Sequence, residues 1–384
     1  MIDIATRMNR RYSSVVASPA STLRGVRLHE TSPRRGWDIV GCAARVFALW
    51  LALACTSEAK QANRPLFASD AALAVTLQAP WSELKKKTTP SVRHPAVLSY
   101  SDAQGRRHRI DASVETRGIT RLSVCRFPPL RLRFAPIAVA GTVFEGQASL
   151  KLVTHCRPGQ VWEQYYLQEM LAYRIYNRVT DHSFRVRPLD IIYQGLSGGK
   201  TDLPQFAFLI EDVDDMARRN GRKESRQATF APRDFDAVAL SRLMLFQYLI
   251  GNTDWEVLSG PKKDKCCHNI RVTSAGASDG LIAVPYDFDS SGMVDAQYAG
   301  PHESLPIKKV TERLFRGFCR HNDALETVRR EFLGHRQAIF SLLENESRLN
   351  PRRRRTLVDY FESFYLTLES QSRFAREISG KCRK

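Results

Sequence analysis

Five side chains able to do chemistry fall in three short stretches. They are Asn252 and Asp254 in GNTDW (251–255), Asn269 in CCHN (266–269), and Asp287 and Asp289 in PYDFD (285–289). Carboxylates and amides present oxygen, the ligand atom that hard divalent cations demand. Mg²⁺ usually takes one or two carboxylates together with substrate phosphates. Phosphoryl transfer needs such a metal, a cation on the phosphates, and an Asp to orient or receive the attacking hydroxyl. Lys151, in the middle of SLKLVT (149–154), can supply the cation, and Glu169 can orient it, with Glu163 as a competing partner. Arg117 in TRG (116–118) can contact phosphate or pair with a surface carboxylate. Taken singly, an Asp at a strand end is a cap or turn residue and a Lys faces water. Taken together, the order Lys, Glu, hydrophobic strand, helix, Asp, Asn, DFD points to metal-assisted phosphate chemistry.

These residues need elements that bring them to one place. The stretches 73–79, 96–101, 108–118, 130–134 and 149–154 alternate or are rich in β-formers and predict strands, with turn residues such as Asp102–Gly105 between them. Residues 162–179 place Tyr165, Leu167, Leu171, Ile175 and Val179 near helical spacing, so a helix carries Glu169. Two strands follow, 185–194 and 204–212, joined by a Gly-rich turn at 195–199. From 234 the pattern turns helical: 234–251 begins at a capping Asp234 and ends at Gly251, directly before the candidate loop. Short strands at 268–272 and 281–288 then carry Asn269 and Asp287 at their ends, and helices are expected near 306–317, 323–346 and 351–378. Pro351 opens the last at a position where its missing N–H does no harm. The expected plan is α+β with two lobes: a β-rich N-terminal lobe over 65–212 and a mainly helical C-terminal lobe over 213–384.

Composition is that of a globular chain, 43% hydrophobic and 26% charged, with a formal charge of +18. Without the first 54 residues, 50 basic and 37 acidic side chains remain. Apart from Arg352–Arg355 and Lys85–Lys87 the excess is dispersed, and no aromatic-basic interleaving suggests a nucleic-acid groove. The apolar run 39–54 is shorter in its uninterrupted part, Val46–Ala54, than the roughly 20 residues of a membrane span. Upstream Arg34, Arg35 and Arg45, and Ala52 and Ala54 before Cys55, lay out a secretory leader over 1–54 followed by a linker over 55–64. Export to a bacterial periplasm or envelope is therefore expected, with membrane attachment only if Cys55 is lipidated. Six cysteines follow Cys55 (Cys125, Cys156, Cys266, Cys267, Cys319 and Cys382), which in an exported chain predicts disulfides. Because neighbours rarely bond each other, Cys266 and Cys267 are each expected to reach elsewhere. A zinc site from these two and His268 lacks the paired clusters such sites use. His155 and His268 are read as non-catalytic.

Over roughly residues 65–345 the chain resembles the spore coat protein H (CotH)-like family of atypical kinases. TRG with FPPLRLRF (127–134), SLKLV with LQEMLAYRIYN (167–177), FAFLIEDVD (206–214), GNTDW and VPYDFDSSG (284–292) are similar in order to its arginine loop, lysine strand and helix, hinge-like strand, catalytic loop and metal segment. The resemblance implies an atypical protein-kinase-like fold and transfer of the γ-phosphate of ATP, with Mg²⁺ or Mn²⁺, to a protein Ser or Thr hydroxyl. It makes Asp254 and Lys151 catalytic, Lys151 and Arg117 ligands of the nucleotide with Glu169 orienting the lysine, and Asn269 and Asp287 metal ligands. Asp289 would assist at the metal or shape the loop. Two departures stand out: fifteen residues separate Asp254 from Asn269, against D-x₄-N in typical kinases, and no G-x-G-x-x-G precedes Lys151. A non-catalytic binding or scaffolding relative and a metal-dependent phosphoesterase are the competing readings.

Overall fold

Alternation along the strands gives each sheet face its own partner. In β5 (Ser149–Val153), Leu150 and Leu152 point into one core while Lys151 and Val153 point the other way. In β7 (Gln205–Ile210), Ala207 and Leu209 join that first core, whereas Phe206, Phe208 and Ile210 join a second. A strand covered on both faces reads as a continuous apolar run, as FAFLI does. The first core also takes Val75, Leu77, Leu98, Ile110, Val114, Leu130 and Leu132 from β1 (Leu73–Gln78), β2 (His94–Ser101), β3 (Arg107–Thr116) and β4 (Leu130–Phe134).

In this computed structural model, which describes residues 64–87, 91–196, 204–261, 266–276 and 279–384, the seven strands close into a barrel. Their order is β1-β2-β3-β4-β5-β7-β6, where β6 is Val186–Gln194. Closure is made by β1 and β6, which run parallel from Leu73↔Leu189 to Gln78↔Gln194 and leave neither edge open. This overturns the expected α+β, two-lobed, atypical protein-kinase-like fold. The chain is a mixed α/β structure built on a closed barrel, which is not the sheet of a kinase lobe. The physical reason is that single edge pairing between segments more than a hundred residues apart in sequence.

The second core is built by the helix Gln160–Val179 against the outer face of β7, and by the helices Ala237–Ile250, Asn322–Glu344 and Pro351–Glu369. Asp236 caps the Ala237–Ile250 helix by accepting from the Ala239 N–H at 2.7 Å, so the cap falls two residues beyond the expected Asp234. Its other end needs glycine: Gly251 has φ of +64°, and a Cβ there would lie 2.0 Å from the Tyr360 hydroxyl. A small sheet of β8 (Lys223–Glu224), β9 (Ile270–Ser274) and β10 (Ile282–Pro285) lies in the order β10-β9-β8.

Two helical expectations are corrected. Residues 306–317 form no helix, because Arg313 and Arg316 reach away to the backbone carbonyls of Leu249, Tyr360, Thr253 and Trp255. The stretch 351–378 is two helices, Pro351–Glu369 and Gln371–Glu377, divided at extended Ser370, whose hydroxyl accepts from the Arg373 N–H.

Cysteines pair Cys125–Cys156 and Cys319–Cys382, with Cα atoms 4.5 and 4.9 Å apart, and Cys266 pairs with Cys267. The last corrects the expectation that each neighbour reaches elsewhere: among the described residues the other four cysteines are already matched. The expected leader (1–54) and all of the linker but Arg64 lie outside the described residues, as does most of the Gly-rich turn. Among the described residues no helix is long and apolar enough to cross a membrane.

Candidate active site

The loop GNTDW leaves the Gly251 cap and is fastened to the PYDFD segment by backbone bonds from Gly292 and Met293 to the carbonyls of Gly251 and Ile250, at 3.0 and 2.9 Å. Antiparallel β9 and β10 set Asn269 opposite Tyr286, whose N–H donates to the Asn269 carbonyl at 3.0 Å. Asp287 follows one residue later. The segment that separates Asp254 from Asn269 loops out and returns: Glu256 and His268 exchange both backbone hydrogen bonds, at 3.0 and 3.1 Å. Fifteen residues of sequence thus close to direct contact, with Asn269 Nδ2 donating to the Asp254 carbonyl at 2.8 Å and to its Oδ2 at 3.1 Å.

Seven of the residues singled out by the sequence, Arg117, Lys151, Glu169, Asp254, Asn269, Asp287 and Asp289, line one cavity of about 390 Å³, whereas Asn252 is buried behind it, its Oδ1 accepting from the Asp254 N–H at 2.9 Å. Both Asn269 and Asp287 sit in the left-handed region, with φ of +53° and +66°. Asn and Asp tolerate that region better than other side chains, and such strain gathers at functional sites. Asp287 is held there by its N–H, which donates to the Tyr173 hydroxyl at 2.9 Å. Burial, reinforced by the neighbouring Asp289 charge, raises the Asp287 carboxyl above the usual carboxylate range.

Lys151 points outward from the barrel into this cavity. Its Nζ lies 4.3 Å from the centre of the Tyr286 ring and makes no ion pair among the described residues. Burial, followed by the charges of Arg117 and Arg271, pushes the Lys151 ammonium down to about 7, against a smaller opposing effect of Asp287. On the same wall Arg131 and Arg271 are paired with Glu115 and Glu224, at 3.8 and 3.3 Å, which leaves Lys151 and Arg117 without an ion pair among the described residues.

Glu169 does not pair with Lys151. It is buried, 1% exposed, and meets Arg121 Nη2, while Arg121 Nε donates to Asp289 Oδ2 at 2.9 Å. Tyr298 adds a hydroxyl donor to the same Asp289 oxygen at 3.0 Å. Burial pushes the Glu169 carboxyl up and Arg121 pulls it back. Asp289 thus shapes the loop through Arg121. The guanidinium is held by its short helix, Thr120–Val124, which the Cys125–Cys156 bridge ties to the chain just beyond β5.

Sequence reasoning passed over Arg121 and read His268 as non-catalytic, with no contact to Asp254 foreseen. The signal for Arg121 was present: a Glu in the middle of an apolar helix face needs a cation, and Arg121 follows the TRG motif closely. His268 Nε2 lies 2.6 Å from Asp254 Oδ1, and this bond, before any opposing burial, raises the imidazole above its ordinary value. His155 instead stacks on Phe127, with ring centres 4.4 Å apart.

Among the described residues no three His, Cys, Asp or Glu side chains converge tightly enough to hold a metal alone. The donor set does fit a cation that brings phosphate oxygens with it. The amide nitrogen of Asn269 is committed to Asp254, which leaves its oxygen as the ligating atom beside Asp287. The cavity therefore sets a cationic wall against an oxygen-donor wall. Compared with known proteins, the chain matches no family model and no curated protein.

Proposed function

We propose that this chain transfers the γ-phosphoryl group of ATP to a serine or threonine hydroxyl of a protein, using Mg²⁺ or Mn²⁺, as the motif order shared with CotH-like kinases suggests. The observation that carries the reading is the pairing, across one cavity, of uncompensated Lys151 and Arg117 with the cluster Asp254, Asn269 and Asp287. Phosphates would satisfy the cations, and the charge missing from that wall is the charge a triphosphate brings. Lys151 and Arg117 bind and orient the phosphates. Asn269 and Asp287 would hold the metal, which when bound withdraws charge from the transferring group. Asp254, aligned by His268 and Asn269, accepts the proton of the attacking hydroxyl. Arg121, Glu169 and Asp289 keep the two walls in register. Support for an exported chain comes from its three cysteine pairs, a pattern of oxidising compartments.

The test is transfer from labelled ATP with Mg²⁺ or Mn²⁺. Asp287→Ala should abolish incorporation, and incorporation equal to the parent's would sink the assignment. One observation favours a second reading, a nucleotide-binding scaffold without transfer: the Lys–Glu pair of active kinases is absent, since Glu169 is engaged by Arg121. Thermal stabilisation by Mg–ATP without incorporation into any acceptor would select it.

A further inference from the structure

Asp254 and His268 line a second cavity as well, of about 430 Å³, on whose walls stand Trp255, Glu256, His302 and Leu305. The Asp254–His268 pair is therefore a partition with one cavity on either side. The Asp254 side chain is 43% exposed, so it can be reached. The first cavity holds the cations and the metal-type donors; the second holds neither Lys151 nor Asp287.

Around the second cavity two acids, Asp254 and Glu256, stand against two arginines, Arg316 and Arg383. Glu256 Oε2 is met by Arg316 at 3.3 Å and by Arg383 at 2.9 Å. Arg316 also donates to the carbonyls of Thr253 and Trp255, both at 2.6 Å, so the wall is fixed from behind. What remains facing the space is a partly apolar lining, with Trp255, Pro261 and Leu305 on its walls and the carboxylate of Asp254 at its inner end. A different groove, of about 740 Å³, adjoins the first cavity through Arg117 and Arg131 and carries Lys87 and Arg133 against a single acid, Glu115. That basic groove would suit an acidic segment, but Asp254 does not line it.

We infer that the second cavity is the acceptor site, taking a serine- or threonine-bearing peptide segment with an apolar residue beside the hydroxyl. The inference rests on the phosphotransfer reading and names its substrate class. The hydroxyl enters from the Leu305 side while the triphosphate occupies the Lys151 side. The hydroxyl oxygen forms the new bond to the γ-phosphorus and its proton passes to the Asp254 carboxylate. The bond from the γ-phosphorus to the bridging oxygen breaks, and ADP leaves with that electron pair. A cavity of this size is within the range of ligand sites, roughly 300–1,000 Å³.

The experiment uses the full chain, Mg–ATP and two synthetic peptide pools with a fixed central serine. One pool carries Leu, Val or Phe at the flanking positions and the other carries Asp or Glu. The apolar pool should be phosphorylated at least about tenfold faster. Leu305→Trp, in an exposed loop, should raise the peptide KM at least about tenfold and leave the KM for ATP within about twofold, and Ser304→Trp should repeat the effect if the first variant folds poorly. Preference for the acidic pool, with Arg133→Ala rather than Leu305→Trp raising the peptide KM, would overturn the site. Calorimetry with ATP separates the two levels. Failure to bind ATP removes the phosphotransfer reading and this inference together, whereas ATP binding and hydrolysis with no transfer to either pool removes the acceptor site alone.

Discussion

His268 Nε2 stands 2.6 Å from Asp254 Oδ1, although fourteen positions separate the two residues in sequence. The contact fixes the carboxylate that both cavities share. Asp254→Asn keeps an acceptor for His268 and removes the base. Phosphotransfer should fall by about 10²–10⁴-fold with little change in melting temperature, measured by labelled-ATP incorporation beside a thermal denaturation scan.

Arg121 joins Glu169 to Asp289 where neither carboxylate is open to solvent. Arg121→Ala leaves two buried acids facing each other without a cation, and should destabilise the protein by about 3–5 kcal/mol. Arg121→Lys should recover only part of this, because a lysine cannot serve two acids with a planar fork. Urea denaturation of the two variants gives both values.

Lys151 titrates near 7 in the folded chain against an ordinary 10.5. The unfolded chain holds the proton more tightly, so Lys151 lowers stability in full below about pH 7. The deficit shrinks as pH rises and vanishes near the unfolded value. Lys151→Met should therefore raise the melting temperature at pH 7, and the gain should fade toward pH 10. A bound triphosphate restores the ammonium, so ATP added in EDTA at pH 8 should take up close to one proton, and at pH 6 almost none. Calorimetry in two buffers of different ionisation enthalpy measures the uptake.

The Cys319–Cys382 bridge places Arg383 on Glu256 and, through Arg316, on the loop of Asp254. Replacing both cysteines by serine should lower stability by roughly 2–4 kcal/mol and raise the amide exchange rate of residues 253–256. Hydrogen exchange read by mass spectrometry checks the second effect.

How much of this was legible in the sequence differs between elements. Strand positions followed from period-two alternation, and β4 falls on the residues expected for it. The barrel did not follow, because the parallel pairing of Leu73–Gln78 with Leu189–Gln194 is a relation between two strands that look alike whichever neighbour they take. The site residues were legible because Gly251, Asn269 and Asp287 mark the ends of regular elements, where side chains converge. Glu169 was expected to orient Lys151, but Arg121 is the cation that meets it. A lysine on an adjacent strand and an arginine on a short helix satisfy the same charge, and only packing chooses between them. The helix expected over 306–317 failed for a related reason: its arginines bond more distant carbonyls than their own turn offers.

The Glu256–His268 clasp has a consequence for how such a protein can change over generations. Two backbone hydrogen bonds already fix Asp254 and Asn269, and beyond them Val257 is buried and the Leu258 carbonyl accepts from the Phe230 N–H at 2.8 Å, so added length is best taken up past exposed Pro261. Lengthening a loop costs only about 0.6 kcal/mol for each doubling of its length. Insertions and deletions can therefore accumulate in that segment without moving the catalytic oxygens. Kindred chains would then share the clasp while differing freely in the count of residues it encloses, and a search by fixed spacing would pass them by.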